Sequence, residues 1–190
     1  YKRQVHTIVS LASSHAPTLR GRLIPWLARG FYRGADRVIA VSQGVAEDVI
    51  RLCRLPETRV QVIYNPVVTP DLLRKVSEPL EHPWFQTGAP PVILGVGRLT
   101  EQKDFSTLLQ AFALVRKQID ARLMILGEGE ERAMLEQLTC DLGLEGYVAL
   151  PGFVENPYAY MKRAALFVLS SRWEGLPTVL ILSLIHISEP

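Results

Sequence analysis

Val92-Ile-Leu-Gly-Val-Gly97-Arg98-Leu-Thr-Glu-Gln-Lys103-Asp104 joins an apolar run to two glycines and two cations. Five apolar or small residues in a row predict a buried strand over Val92–Val96, ended by Gly95-x-Gly97, where glycine permits a tight turn. Apolar residues at helical spacing then predict a helix over Phe105–Ile119. Strand, glycine turn and helix form the first part of a βαβ unit, and the alternation continues downstream. Strands are expected over 122–126, 148–150 and 166–169 and helices over 130–142 and 157–164, with a polar turn over 170–177 opening a last helix. Upstream, strands are expected at 5–11, 37–41 and 60–64 and helices at 19–32 and 44–54, the latter capped by Ser42. Between the two series, Pro66, Pro70, Pro79, Pro83, Pro90 and Pro91 cluster in and around 67–90, which reads as a linker or irregular crossover. The fold class is therefore α/β, with two facing Rossmann-like lobes, both incomplete, whose ligands bind beyond the carboxyl ends of the strands.

Composition narrows the function classes. With 190 residues, 48% hydrophobic and 21% charged, the chain has the balance of a globular protein and excludes disordered, collagen-like and coiled-coil classes. Its mean hydropathy is +0.13. The longest nearly apolar run, Val179–Ile187, is interrupted by Ser183 and His186 and falls short of the roughly 20 residues of a membrane span. The chain starts at Tyr1 without a secretory signal pattern, and Cys53 and Cys140 show neither disulfide-framework nor zinc spacing. A reducing, cytoplasmic location and no metal site are expected.

The formal charge of +2 conceals an asymmetry. Up to Pro66, ten Lys and Arg stand against four Asp and Glu, a net of +6; the remainder has eleven against fifteen, a net of −4. Arg20, Arg22, Arg29, Arg33 and Arg37 surround Leu23, Trp26, Leu27 and Phe31 at helical spacing. Two readings stay open: a solvated helix face, or a surface meeting anionic lipid or an anionic acceptor at the inner face of a membrane. No basic-aromatic motif of a nucleic-acid module is present, so no nucleic-acid partner is expected.

Four segments could carry chemistry. After Gly95-x-Gly97, Arg98 and Lys103 can offer a planar donor fork and a point charge to phosphate oxygens. A lone G-x-G also suits a purely structural turn. Thr100 stands where a dinucleotide fingerprint needs glycine, which disfavours a NAD-dependent oxidoreductase, and no Walker A loop occurs. Gly127-Glu-Gly129 again ends a strand before a helix, and Gly152-Phe-Val154 offers backbone groups that could read a nucleobase; either could equally be a plain turn. In Ser170-Ser-Arg-Trp-Glu174-Gly175-Leu176-Pro177-Thr178, Pro177 and Thr178 suit a helix first turn, a natural anion site. Glu174 beside it suits a polyhydroxylic ligand, or is a surface loop charge.

Taken together, Ser42-Gln-Gly-Val-Ala-Glu-Asp, Tyr64-Asn-Pro-Val, Gly95-Val-Gly-Arg-Leu-Thr-Glu-Gln-Lys-Asp, Gly127-Glu-Gly, Pro151-Gly-Phe-Val and Ser171-Arg-Trp-Glu-Gly-Leu-Pro resemble glycosyltransferase family 4, from about His6 to Ile181. These are the retaining enzymes of the two-lobed GT-B fold. The resemblance implies a sugar transferred from a nucleotide diphosphate-sugar to an acceptor hydroxyl in glycan, lipopolysaccharide or glycolipid synthesis, with no cofactor besides the donor substrate. Arg98 and Lys103 match the pair that neutralises the donor diphosphate, filling the role of a divalent cation. The Gly95 to Gly97 turn faces the cleft, Gly127 and Gly129 line the substrate side, and the Val154 backbone contacts the base. Glu174 matches the first acid of the E-x7-E motif near the donor sugar, and Gly175, Leu176, Pro177 and Thr178 supply the helix start at the phosphates. His6 looks like a strand-end histidine facing the sugar. Partners implied are the nucleotide-sugar donor and a glycan or lipid-linked acceptor.

One departure matters. The second acid of E-x7-E would fall at Leu182, and the tail 182–190 no longer follows the family pattern. The expected organisation is residues 1–66 as part of an acceptor lobe, 67–90 as linker, 91–181 as part of a donor lobe and 182–190 as a non-native tail. The chain by itself is then expected to be an inactive fragment. A GT-B sugar-nucleotide epimerase or phosphorylase, or a non-catalytic nucleotide-binding fragment, are the alternatives.

Overall fold

A computed structural model describes residues 34–64 and 70–174, together with Gly30 and Tyr32. The strand expected at 5–11, most of the helix expected at 19–32, the helix expected after 177 and the tail 182–190 lie outside the described residues. The chain divides into two compact units, residues 1–66 with 173–177, and residues 67–172 with 178–190. No helix among the described residues is long and apolar enough to cross a membrane.

In the first unit, β1 (Val38–Ala40) and β2 (Val60–Val62) run parallel and flank α1 (Gln43–Cys53), forming one βαβ crossover. Ser42 caps α1 as its position predicts: its hydroxyl accepts from the Val45 N–H at 3.3 Å. Ala46, Val49 and Cys53 form the buried stripe of α1, and Val49 and Cys53 join a core with Tyr32, Ala35, Val38 and Leu55. This stripe has the three-to-four-residue spacing of one helix face.

The second unit is a four-stranded parallel sheet in the order β5-β4-β3-β6, made of β3 (Val92–Val96), β4 (Arg122–Leu126), β5 (Val148–Gly152) and β6 (Leu166–Phe167). Residues on β4 explain why its sequence is a continuous apolar run. Leu123 and Ile125 enter one core, with Phe105, Leu108, Leu109 and Phe112 of α3 (Phe105–Arg116) and Leu135 of α4 (Arg132–Asp141). Met124 and Leu126 enter the opposite core, with Val92, Leu94 and Met161 of α5 (Pro157–Arg163). A parallel strand covered on both faces has no solvent side to show as alternation. β5 extends through Pro151 to Gly152, two residues beyond expectation. It is an edge strand among the described residues, where a missing N–H is tolerated, and its register shifts so that Met124 faces Ala149 while Leu126 faces Gly152.

The segment expected as an irregular linker at 67–90 is different. It carries α2 (Pro70–Val76) and a 3-10 turn at Pro83–Phe85, and it belongs to the second unit. Pro70 and Pro83 each occupy a first helical position, where no N–H is needed, so these prolines start turns that they were expected to break. Leu72 and Val76 are buried against the sheet, and Trp84 and Phe85 pack beside them. Asn156 fastens this layer down. Its amide nitrogen donates to the Lys75 carbonyl at 2.8 Å and to Glu78 Oε2 at 2.7 Å, while its oxygen accepts from the Tyr158 N–H at 3.2 Å and so caps α5.

Asn156→Ala removes a cap and two long-range hydrogen bonds together, so it is expected to destabilise the chain by about 2 kcal/mol. Asn156→Asp keeps the cap but sets a carboxylate against Glu78, and is expected to recover only part of that loss. Urea denaturation of the three proteins measures both; an alanine variant as stable as the parent contradicts this role.

Candidate functional site

Three loops leave the carboxyl ends of β3, β4 and β5 side by side, and backbone hydrogen bonds carry the sheet ladder into them. The Gly97 N–H donates to Leu126 O at 3.0 Å, the Leu99 N–H to Glu128 O at 2.9 Å and the Gly127 N–H to Gly152 O at 2.8 Å. The Glu131 N–H closes the set on Leu99 O at 3.1 Å. Such closeness requires glycine at Gly127, whose φ is +144° and whose missing Cβ would collide with the Gly97 carbonyl oxygen. At Gly129 a Cβ would run into the Leu99 carbonyl in the same way.

A cavity of 340 Å³ opens above these strand ends. Its lining is apolar at Val96, Leu126, Phe153, Val154 and Pro157, side-chain-free at Gly97 and Gly127, and charged at Arg98 and Glu128. The two charges are not equivalent. Glu128 is paired with Arg132 at 2.7 Å, and Arg132 also binds Glu136 at 2.9 Å and the Leu150 carbonyl at 2.8 Å. Exposed Arg98 has no side-chain partner among the described residues. The site thus combines apolar walls, which suit a planar ring, with an uncompensated guanidinium, which suits an anion. Phe153, 79% exposed, stands at the cavity mouth.

Four of the thirteen residues singled out in the sequence lie here. Gly97, Arg98, Gly127 and Val154 line the cavity. Lys103 is not among the lining residues but neighbours one of them: a Cβ at Gly97 would stand 3.1 Å from Lys103 Cε and 3.3 Å from Cγ, so the lysine stem lies along the glycine. Gly95 and Gly129 stand outside the cavity lining. Gly95 is buried inside β3 on the α3 side, where a Cβ would stand 3.0 Å from Phe105 Cε1. Helix-to-sheet packing accounts for Gly95 and loop-to-loop packing for Gly129, and neither lines the cavity. Glu174 is half-buried and groups with the first unit. His6, Gly175, Leu176, Pro177 and Thr178 lie outside the described residues, as does most of the basic stretch from Arg20 to Arg37.

Polar groups beside this loop escaped the sequence reading. Asp104, with φ +48°, caps α3 by accepting from the Thr107 N–H at 3.4 Å and from Ser106 Oγ at 2.9 Å. Arg172 donates to its other oxygen at 3.0 Å; this bond leads the causes that hold the Asp104 carboxyl below the usual range, against the opposing effect of burial. Glu131 is the opposite case. Burial, then the charges of Glu101, Asp104 and Glu130, push its carboxyl up, and its Oε2 has no hydrogen-bond partner. An aspartate just before an apolar helical run was a legible capping signal; its partner 68 residues away was not.

The glycine contacts separate two kinds of position. Gly127→Ala meets backbone that cannot yield and is expected to destabilise by more than about 2 kcal/mol. Gly97→Ala meets only a flexible lysine stem and is expected to stay within about 1 kcal/mol of the parent. Denaturant titration distinguishes them, and equal losses would contradict the interlocked loops.

The family model described as Glycosyl transferases group 1 matches residues 81–182, which contain this cavity, and the model described as Glycosyltransferase Family 4 matches residues 3–70. An uncharacterised glycosyltransferase of Methanocaldococcus jannaschii is 32% identical over 172 residues, covering 88% of this chain and 42% of the relative. The N-acetylgalactosamine-N,N'-diacetylbacillosaminyl-diphospho-undecaprenol 4-alpha-N-acetylgalactosaminyltransferase of Campylobacter jejuni is 34% identical over 153 residues, 80% of this chain and 40% of its own length. The lipopolysaccharide core biosynthesis glycosyltransferase LpsE of Rhizobium meliloti is 32% identical, over 80% of this chain and 42% of the relative. The chain thus spans about two-fifths of the length of these curated relatives. Among solved structures, WaaG, a glycosyltransferase involved in lipopolysaccharide biosynthesis, shares the fold with a TM-score of 0.71 at 20% identity, over 89% of this chain and 48% of that one. HepE of Anabaena, solved in complex with UDP and glucose, gives 0.68 at 24% identity, over 93% and 48%. With a family model matching more than half of its residues and the strand-end site inside that match, the chain belongs to the glycosyl transferases group 1, enzymes of the GT-B fold.

Proposed function

We propose that the protein containing this chain transfers a sugar, with retention of anomeric configuration, from a nucleotide diphosphate-sugar to an acceptor hydroxyl in glycan, lipopolysaccharide or glycolipid synthesis. The observation that carries this reading is Arg98, which has no side-chain partner among the described residues, in the lining of a mostly apolar cavity whose other charged residue, Glu128, is paired with Arg132. Relatives named for lipopolysaccharide core and undecaprenol-linked sugar transfer, and a structural neighbour solved with UDP and glucose, support it.

In this reading the base lies between Val154 and the Gly127 loop and the diphosphate turns towards Arg98 and Lys103. Breaking the glycosidic bond leaves negative charge on the diphosphate while the sugar gains oxocarbenium character, so fixed cations act where charge develops. By the family resemblance, Glu174, Gly175, Leu176, Pro177 and Thr178 are further candidates for donor binding and His6 is a candidate for the sugar. The donor is a substrate, and no separate cofactor is required. A glycan or lipid-linked acceptor fits both the names of the relatives and the excess of arginine before Pro66.

A charge pair at about 4 Å with an effective dielectric near 20 interacts by roughly 4 kcal/mol. If half of that develops only in the transition state, each cation accelerates the reaction about 30-fold. In the full-length enzyme, Arg98→Ala and Lys103→Ala are each expected to lower kcat by about that factor, with melting temperatures close to the parent's. Near-normal turnover in both variants would overturn the assignment.

A further inference from the structure

The loop that carries Lys103 is fastened from the far side of the β3/β6 pair, at the point where the strand order of the sheet reverses. Arg172 donates from Nε to Asp104 Oδ2 at 3.0 Å and from Nη1 to Glu101 Oε1 at 2.9 Å. Its backbone N–H donates to Gln102 O at 2.9 Å, and Ser170 Oγ donates to the Lys103 carbonyl at 2.7 Å. Residues 101, 102, 103 and 104 are therefore each held by the segment after β6. All of these groups belong to the second unit.

Capping α3 does not demand this arrangement. The cap uses Asp104 Oδ1, which accepts from Thr107 and Ser106, and leaves Oδ2 for Arg172. Asp104 also adopts a left-handed backbone, φ +48° and ψ +47°, which a residue other than glycine takes up only when its surroundings favour it. Stability is a poor reason for the pair, because the Arg172 side chain is 48% exposed and ion pairs at the surface contribute little. What the contacts do fix is the origin of the Lys103 side chain, whose stem then lies along Gly97, a residue of the cavity lining.

We infer that Arg172 and Asp104 are positioning residues: their ion pair holds the loop that presents Lys103 to the donor diphosphate. This inference rests on the donor-site reading above. Preorganised charge is worth most when its position does not have to be bought from the substrate's binding energy, and a lysine on four rotatable bonds needs its base held.

The test uses the chain itself and two probes, UDP and uridine, titrated calorimetrically. Arg172→Gln and Asp104→Asn, the latter keeping an oxygen for the α3 cap, are each expected to weaken UDP binding about tenfold while leaving uridine binding unchanged. Glu101→Gln, which removes the outer and more exposed arm of the Arg172 contact, is expected to leave both affinities near the parent's. All three variants should melt close to the parent. Parent-like UDP affinity in Arg172→Gln and Asp104→Asn, or equal losses for UDP and uridine, would overturn the positioning role while leaving the donor site standing. A parent chain that binds UDP no better than uridine would overturn the donor-site reading, and the brace with it.

Discussion

The close approach of two backbone segments, Gly127 against the Gly97 carbonyl, is the constraint on which the second unit's binding face depends. No side chain can occupy that position, so the loops after β3 and β4 touch through their main chains, and hydrogen bonds from Gly97, Leu99 and Gly127 continue the sheet beyond its strands. A loop built in this way has its polar groups satisfied and its conformation fixed. The cavity above inherits that rigidity from β3 and β4, whose residues fill the cores on both faces of the sheet.

Electrostatics divides the charges around this face into those already satisfied and one that is not. Glu128 is occupied by Arg132, and Asp104 and Glu101 by Arg172. Arg98 alone among the charged cavity residues lacks such a partner among the described residues. A protein surface tolerates an unpaired arginine easily, so its presence is not strain. Its meaning comes from its place, at the mouth of an apolar cavity beyond the carboxyl ends of parallel strands, where α/β sheets bind their ligands.

How much of this was legible depends on how local the cause is. β3 and β4 fall where the sequence puts them, at 92–96 and 122–126, because a strand buried on both faces writes a continuous apolar run. Ser42 was readable because capping acts within three residues. Prolines at 70 and 83 misled, since a proline starts a helix when it stands at the first helical position and breaks one when it stands inside. The Gly-x-Gly patterns that hold Gly95 and Gly129 report that a side chain is excluded, but not whether a ligand, a helix or another loop excludes it. The ties from Asn156 to Lys75 and Glu78, and from Arg172 to Asp104, join residues 68 to 81 positions apart and leave no local trace.

The proposed function requires that the second unit bind a nucleoside diphosphate at the ends of β3, β4 and β5. Backbone amide resonances of the chain, followed by NMR during titration with UDP, test it most directly. Saturating shifts centred on Gly97, Arg98, Gly127, Phe153 and Val154, with little change at α1 or at Gly143 and Gly146, are the predicted result. Shifts that never saturate, or that cluster away from these loops, would contradict the account.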